Sequence, residues 1–113
     1  MTTEDIMQLD CREEYNKNII QKALKKIKPL SRYDGVVPIE KLELCIKKYC
    51  DKYKYYYRLY PDTDAADDCV VWRGVVLDSR DLKYIGKIYG RTLYEVISKS
   101  IIKLYSVTRK TEV

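Results

Sequence analysis

The chain has 113 residues, 46% of them hydrophobic and 35% charged, and a net charge of +5. That is enough apolar surface for one core and too short a chain for two, which argues against disorder along its length. Twelve tyrosines and one tryptophan, with neither phenylalanine nor histidine, give every aromatic group a polar edge; they also exclude the usual general base, the commonest zinc ligand and any Ser-His or Cys-His nucleophile pair.

In chain order, residues 1–14 hold Glu4, Asp5, Asp10, Glu13 and Glu14 against Arg12 alone, and residues 17–32 hold six lysines and arginines with no acid. This arrangement matches the dipole of a helix. The spacing predicts that helix over 3–28, capped by Thr2 or Thr3, with Tyr15, Ile19, Ala23 and Ile27 on one face and Pro29 as its end. Its first ten residues carry a weaker apolar stripe, so the N-terminal segment 1–35 is expected to sit loosely on a core formed by 36–107. Asp34-Gly35 marks a turn and Pro38 opens a second helix, in which Ile39, Leu42, Ile46, Tyr49 and Tyr53 repeat at helical spacing.

Lys54–Tyr60 is dense in tyrosine and reads as a strand closed by Pro61, with either Tyr55 and Tyr57 or Tyr56 and Tyr60 turned to the helices. Cys69–Leu77 and Leu82–Tyr89 read as a hairpin across Asp78-Ser79-Arg80-Asp81, Lys83 and Lys87 pointing outward. On the first of these strands Val70, Trp72, Gly74 and Val76 share one face, and Val71, Arg73, Val75 and Leu77 the other; one face should cover helices and the other serve as a contact surface. Gly90 ends the hairpin. Thr92 and Glu95 then form a capping box for a last helix with Leu93, Val96, Ile97, Ile101, Leu104 and Tyr105 inward, Ser98, Lys99 and Lys103 outward, and a polar tail from about 107. The expected fold is α+β: a single domain, 1–113, built as a two-layer sandwich of a three-stranded antiparallel sheet with helices on one face, in the order α-α-β-β-β-α.

From Pro38 this order resembles the double-stranded-RNA-binding domain, whose last helix opens with a lysine cluster. Here the matching turn, Gly90 to Glu95, has Arg91 as its one base and Glu95 as a repulsive acid. The string G-x-T-L-x-E at Gly90, Thr92, Leu93 and Glu95 resembles small antitoxin domains of the HicB type, and the hairpin-plus-helix layout resembles small α-β-α sandwich proteins of bacteriophages. The resemblance implies a phage or mobile-element accessory protein that works by binding, as an anti-defence inhibitor of the anti-CRISPR kind. No separate helix-turn-helix or ribbon-helix-helix segment of the sort used for operator binding accompanies it.

Function is therefore expected to lie in binding and not in catalysis. The first expectation is a protein-binding module, with Tyr56, Arg58, Tyr60 and Trp72 as anchors and Asp64, Asp67 and Asp68 steering a host protein that has a basic, nucleic-acid-handling surface. The alternative is a nucleic-acid-binding module using Lys25, Lys28, Lys47, Lys52, Lys54 and Arg58. No cofactor or metal is expected: Cys11, Cys45, Cys50 and Cys69 contain no C-x-x-C pair and read as free thiols, and the Asp62–Asp68 loop lacks the glycine and distal glutamate of a calcium loop. No apolar run approaches the roughly 20 residues of a membrane span. The acidic start is unlike a signal peptide, so a cytoplasmic protein is expected. Exposed strand edges at 54–60 or 82–89 are open to pairing with a second copy.

Overall fold

A computed structural model describes residues 15–64 and 69–112, and the side chains of 18–62 and 71–109. Three helices and three strands follow in the order α1 (Tyr15–Leu24), α2 (Ile39–Tyr53), β1 (Tyr55–Asp64), β2 (Cys69–Asp78), β3 (Tyr84–Gly90) and α3 (Leu93–Glu112), with a 3-10 turn at Lys28–Leu30. The strands form one antiparallel sheet in the order β1-β2-β3, and helices pack on one of its faces, giving an α+β architecture. Among the described residues no helix is long and apolar enough to cross a membrane.

The last helix is the centre of the core. α3 touches α1, α2, β2 and β3, and Val96 through Ile102 are buried without a break. An amphipathic stripe assumes one buried face, so the expected exposure of Ser98 and Lys99 is corrected: both are buried, Lys99 at 2% exposure, and Lys103 is half-buried. Lys99 Nζ donates to the Tyr89 carbonyl at 3.3 Å and lies 3.9 Å from Glu95 Oε1. Leu93, expected inward, is exposed because it precedes the point where the sheet covers the helix. The expected polar tail is also corrected, since α3 runs on to Glu112 and Thr108 is buried with its hydroxyl donating to the Leu104 carbonyl.

Glycines let α3 lie close to the sheet. A Cβ at Gly74 would stand 3.0 Å from both Ser100 Oγ and Tyr57 Oη, and one at Gly90 would stand 2.9 Å from the backbone nitrogen of Val96. The capping box forms as expected at its first half, Glu95 N–H donating to Thr92 Oγ1 at 3.1 Å. Its second half is displaced by one residue: the N–H that reaches Glu95 Oε2, at 2.8 Å, belongs to Arg91.

At the other end, α1 stops at Leu24 and the chain turns before Pro29, four residues short of the expected limit. Residues 1–14, with the acidic block and the Thr2 or Thr3 cap, lie outside the described residues. The described part of the N-terminal segment is firmly packed: Ile20, Leu24, Ile27 and Leu30 are buried. Gln21 ties it down further, donating to Tyr94 Oη at 2.8 Å and accepting from Val37 N–H at 3.1 Å, while the Tyr94 hydroxyl donates to the Val37 carbonyl.

Pro61 does not close β1, which continues to Asp64. The strand lies at an edge of the sheet, where a residue without an N–H is tolerated on the unpaired side. Between α2 and β1, Lys54 takes a left-handed conformation (φ 61°), and its carbonyl accepts both the N–H and the hydroxyl of Ser79 from the β2–β3 turn. That turn is longer than expected, with Leu82 at φ 58° and β3 beginning at Tyr84.

Candidate functional site: the open face of the sheet

Strand alternation and register decide which tyrosines face solvent. Tyr55, Tyr57 and Leu59 pack toward the helices, and Tyr56, Arg58 and Tyr60 stand on the opposite face. Tyr57 is fixed there by the bond from Ser100 Oγ at 3.2 Å, and burial pushes its hydroxyl pKa up. Antiparallel pairing then sets three rows across the outer face. Tyr60, Arg73 and Tyr89 form one row, Arg58, Val75 and Lys87 the next, and Tyr56, Leu77 and Tyr84 the third. The grid has a tyrosine at each corner, an apolar residue at its centre and a cation at the middle of three of its sides.

One irregularity completes it. Between Val76 and Leu77 the register with β3 slips by a residue, so that Val76 pairs with Gly86 but Leu77 pairs with Tyr84. The extra residue, Ile85, packs on the core, and Tyr84 is left on the outer face, where strict alternation would have turned it inward.

The cations are held against the rings. Arg73 stands 5.0 Å from the Tyr89 ring centre and 5.9 Å from that of Tyr60; Arg58 lies 5.5 Å from Tyr56 and Lys87 4.4 Å from Tyr84. Each such contact contributes about 0.5–1 kcal/mol at an exposed site, enough to restrict the side chain without burying it. Arg73 is held additionally by Asp62, 3.4 Å away. Val71 and Val75 are buried beneath this layer, while Tyr56, Tyr84 and Tyr89 keep 49, 61 and 45% of their surface exposed. Beside the third row, Tyr56, Tyr60, Leu77, Leu82 and Tyr84 border an open depression of about 810 Å³.

The structure thus brings together three of the residues singled out in the sequence, Tyr56, Arg58 and Tyr60. Trp72 is not with them: it pairs with Pro61, one residue out of phase with that face, and packs against the core on the helix side. Asp64 ends β1 opposite Cys69, and Asp67 and Asp68 lie outside the described residues. Arg73, Tyr84, Lys87 and Tyr89 were not singled out. Hairpin register would have found Arg73, Lys87 and Tyr89; nothing in the local sequence announces the bulge that adds Tyr84.

The lysines of the nucleic-acid alternative do not form one patch. Lys28 and Lys52 border a separate groove on the helical side. Lys25 follows α1, half-buried, Lys47 is exposed on α2, and Lys54 is the left-handed junction residue described above. Of the cysteines, Cys45 and Cys50 are free thiols with pKa values raised by burial, that of Cys45 to about 11. Cys11 and the Cys69 side chain fall outside the described set. Among the described residues no group of three or more Cys, Asp or Glu is gathered as a metal site would require.

No protein-family model, no curated protein and no solved structure matches this chain.

Proposed function

We propose that this chain is a non-enzymatic binding module that docks a partner protein on the helix-free face of its sheet. Tyr56, Arg58 and Tyr60 are its anchors, and Arg73, Tyr84, Lys87 and Tyr89 complete the contact. The observation that supports this reading is the grid: four exposed tyrosines around an apolar centre, with each cation parked on a ring. Tyrosine and arginine supply much of the energy at protein interfaces, and side chains restricted before binding lose little entropy on contact. Arg58, Arg73 and Lys87 outnumber Asp62 on this face, which suits an apolar patch on the partner fringed with carboxylates. Asp64 ends the same strand, Asp67 and Asp68 follow it in sequence, and the three offer the opposite charge to a basic margin of that partner.

In this reading the chain acts by occupation. It is a cytoplasmic inhibitor of a host protein that handles nucleic acid, the role implied by the resemblance to phage and mobile-element accessory proteins. The test is a titration of the partner captured by the tagged chain against Y56A and R58A, with circular dichroism as the folding control. Loss of an interface anchor of this kind costs at least about 2 kcal/mol, or about 30-fold in affinity. Unchanged affinity in both variants would overturn the reading.

A further inference from the structure

We infer that a second surface, the groove between the 3-10 turn, α2 and the end of α3, binds single-stranded nucleic acid. The groove has a volume of about 610 Å³ and is bordered by six cations: Lys28, Arg32, Lys41, Lys48, Lys52 and Arg109. None of its lining residues is an aspartate or glutamate. α2 explains half of this charge, because Lys41, Lys48 and Lys52 recur at helical spacing beside Cys45 and so share one stripe of the helix. Lys28 and Arg32 come from the turn forced by Pro29, and Arg109 from the last turns of α3.

Like charges gathered in this way repel one another, and Lys28, Lys41 and Lys48 have no ion-pair partner within 4.0 Å among the described residues. A polyanion removes that repulsion and releases its own counterions. Phosphate alone would leave the rings unexplained. Tyr33, Tyr49, Tyr53 and Tyr105 also line the groove. Tyr49 and Tyr53 stack at 6.2 Å, and Tyr53 continues the ladder to Tyr55 at 6.0 Å. Arg32 lies 5.5 Å from the Tyr33 ring, Lys52 5.2 Å from Tyr53 and Arg109 5.3 Å from Tyr105. Alternating planar rings and cations are what a flexible strand requires, with bases on the rings and phosphates on the charges. Because the cations come from three separate elements, the arrangement fits several successive phosphates better than the single cluster of a mononucleotide.

The experiment is fluorescence anisotropy of the full chain with a labelled oligothymidylate and oligouridylate of about twelve nucleotides. With three or four phosphates neutralised, affinity should fall about 20–50-fold between roughly 50 and 200 mM salt. The double variant R32Q/K48Q, altered at two exposed positions, should bind about 10-fold more weakly and flatten the logarithmic salt slope by about 1.4. K87Q, on the sheet face, should bind the strand as the unaltered chain does, which separates this site from the protein-docking surface. Absence of binding at about 50 mM salt, or equal binding by R32Q/K48Q, would overturn the assignment. Displacement by inorganic polyphosphate as effective as by the oligonucleotide, at equal phosphate concentration, would also overturn it, by showing that bases contribute nothing.

Discussion

Gly90 is the residue whose replacement tests the arrangement of core and sheet most directly. In Gly90→Ala the new methyl would lie 2.8 Å from Glu95 Oε2, 2.9 Å from the Val96 backbone nitrogen and 3.1 Å from Glu95 Cβ. Comfortable contact begins at about 3.5 Å, so the first turn of α3 must withdraw from β3 by about half an ångström. Overpacking of that kind costs about 1–3 kcal/mol. The withdrawal also stretches the bond from Arg91 N–H to Glu95, half of the helix cap, for about 1 kcal/mol more. Alanine restricts the unfolded chain and returns roughly 0.4–1 kcal/mol. The net loss is about 2 kcal/mol, which for a chain of this length lowers Tm by roughly 8–10 °C. Urea and thermal unfolding followed by circular dichroism measure it. Gly86→Ala is the matched control, because its methyl would meet the flexible Lys103 side chain at 3.3 Å and Ile88 Cδ1 at an ordinary 3.7 Å, and should stay within about 0.5 kcal/mol of the parent. A Gly90→Ala chain as stable as Gly86→Ala would refute the reasoning that close approach of α3 requires glycine there.

Three further outcomes follow from the same contacts. Lys99→Met keeps the volume of the buried side chain but leaves the Tyr89 carbonyl and the Glu95 carboxylate without the ammonium, so it should cost about 1–3 kcal/mol, whereas Lys99→Ala opens a cavity as well and should cost about 2–4 kcal/mol more in the same unfolding assay. The hydrogen bonds from Arg80 hold the Asp78 carboxyl at about 2, below its ordinary 3.8. Its contribution is therefore present above pH 4 and lost as pH falls toward 2, and an acid titration of Arg80→Ala should lack that component. Burial raises the Cys45 thiol from 9.0 to about 11; because the charged form is disfavoured in the fold, stability should be intact below pH 9 and decline as pH rises toward 11. Iodoacetamide at pH 8 should label Cys45 in urea far faster than in the folded chain.

How far the sequence discloses this molecule depends on the range of the signal. Pro38, Gly90 and the Thr92–Glu95 pair are local devices, and each marks the boundary it announces. Tyr56, Arg58 and Tyr60 share a face because strands alternate, which is also local. The position of Lys99 is not. Ser98 and Lys99 read as the outward face of a helix, yet a small hydroxyl side chain and a flexible lysine stem are what permit a helix to be surrounded by neighbours on several sides. Trp72 misleads for a related reason: as the lone indole it draws attention, but its parity assigns it to the covered face together with Gly74 and Val76. The bulge at Ile85 depends on pairing between two strands, and neither strand records it alone.

The central place of α3 also has a consequence for synthesis. The helix that α1, α2 and two strands all lean on is the last of the described elements to be made. A chain emerging from the ribosome can form its hairpin and its earlier helices, but the apolar faces of Ile20, Leu24, Leu42, Val76 and Ile88 have nothing to close on until residues 96–104 appear. Closure of the core therefore waits until those residues have been made, and until then the faces are open to chaperones or to aggregation. Loss of the final helix, unlike damage to a peripheral element, would remove the element that joins the others.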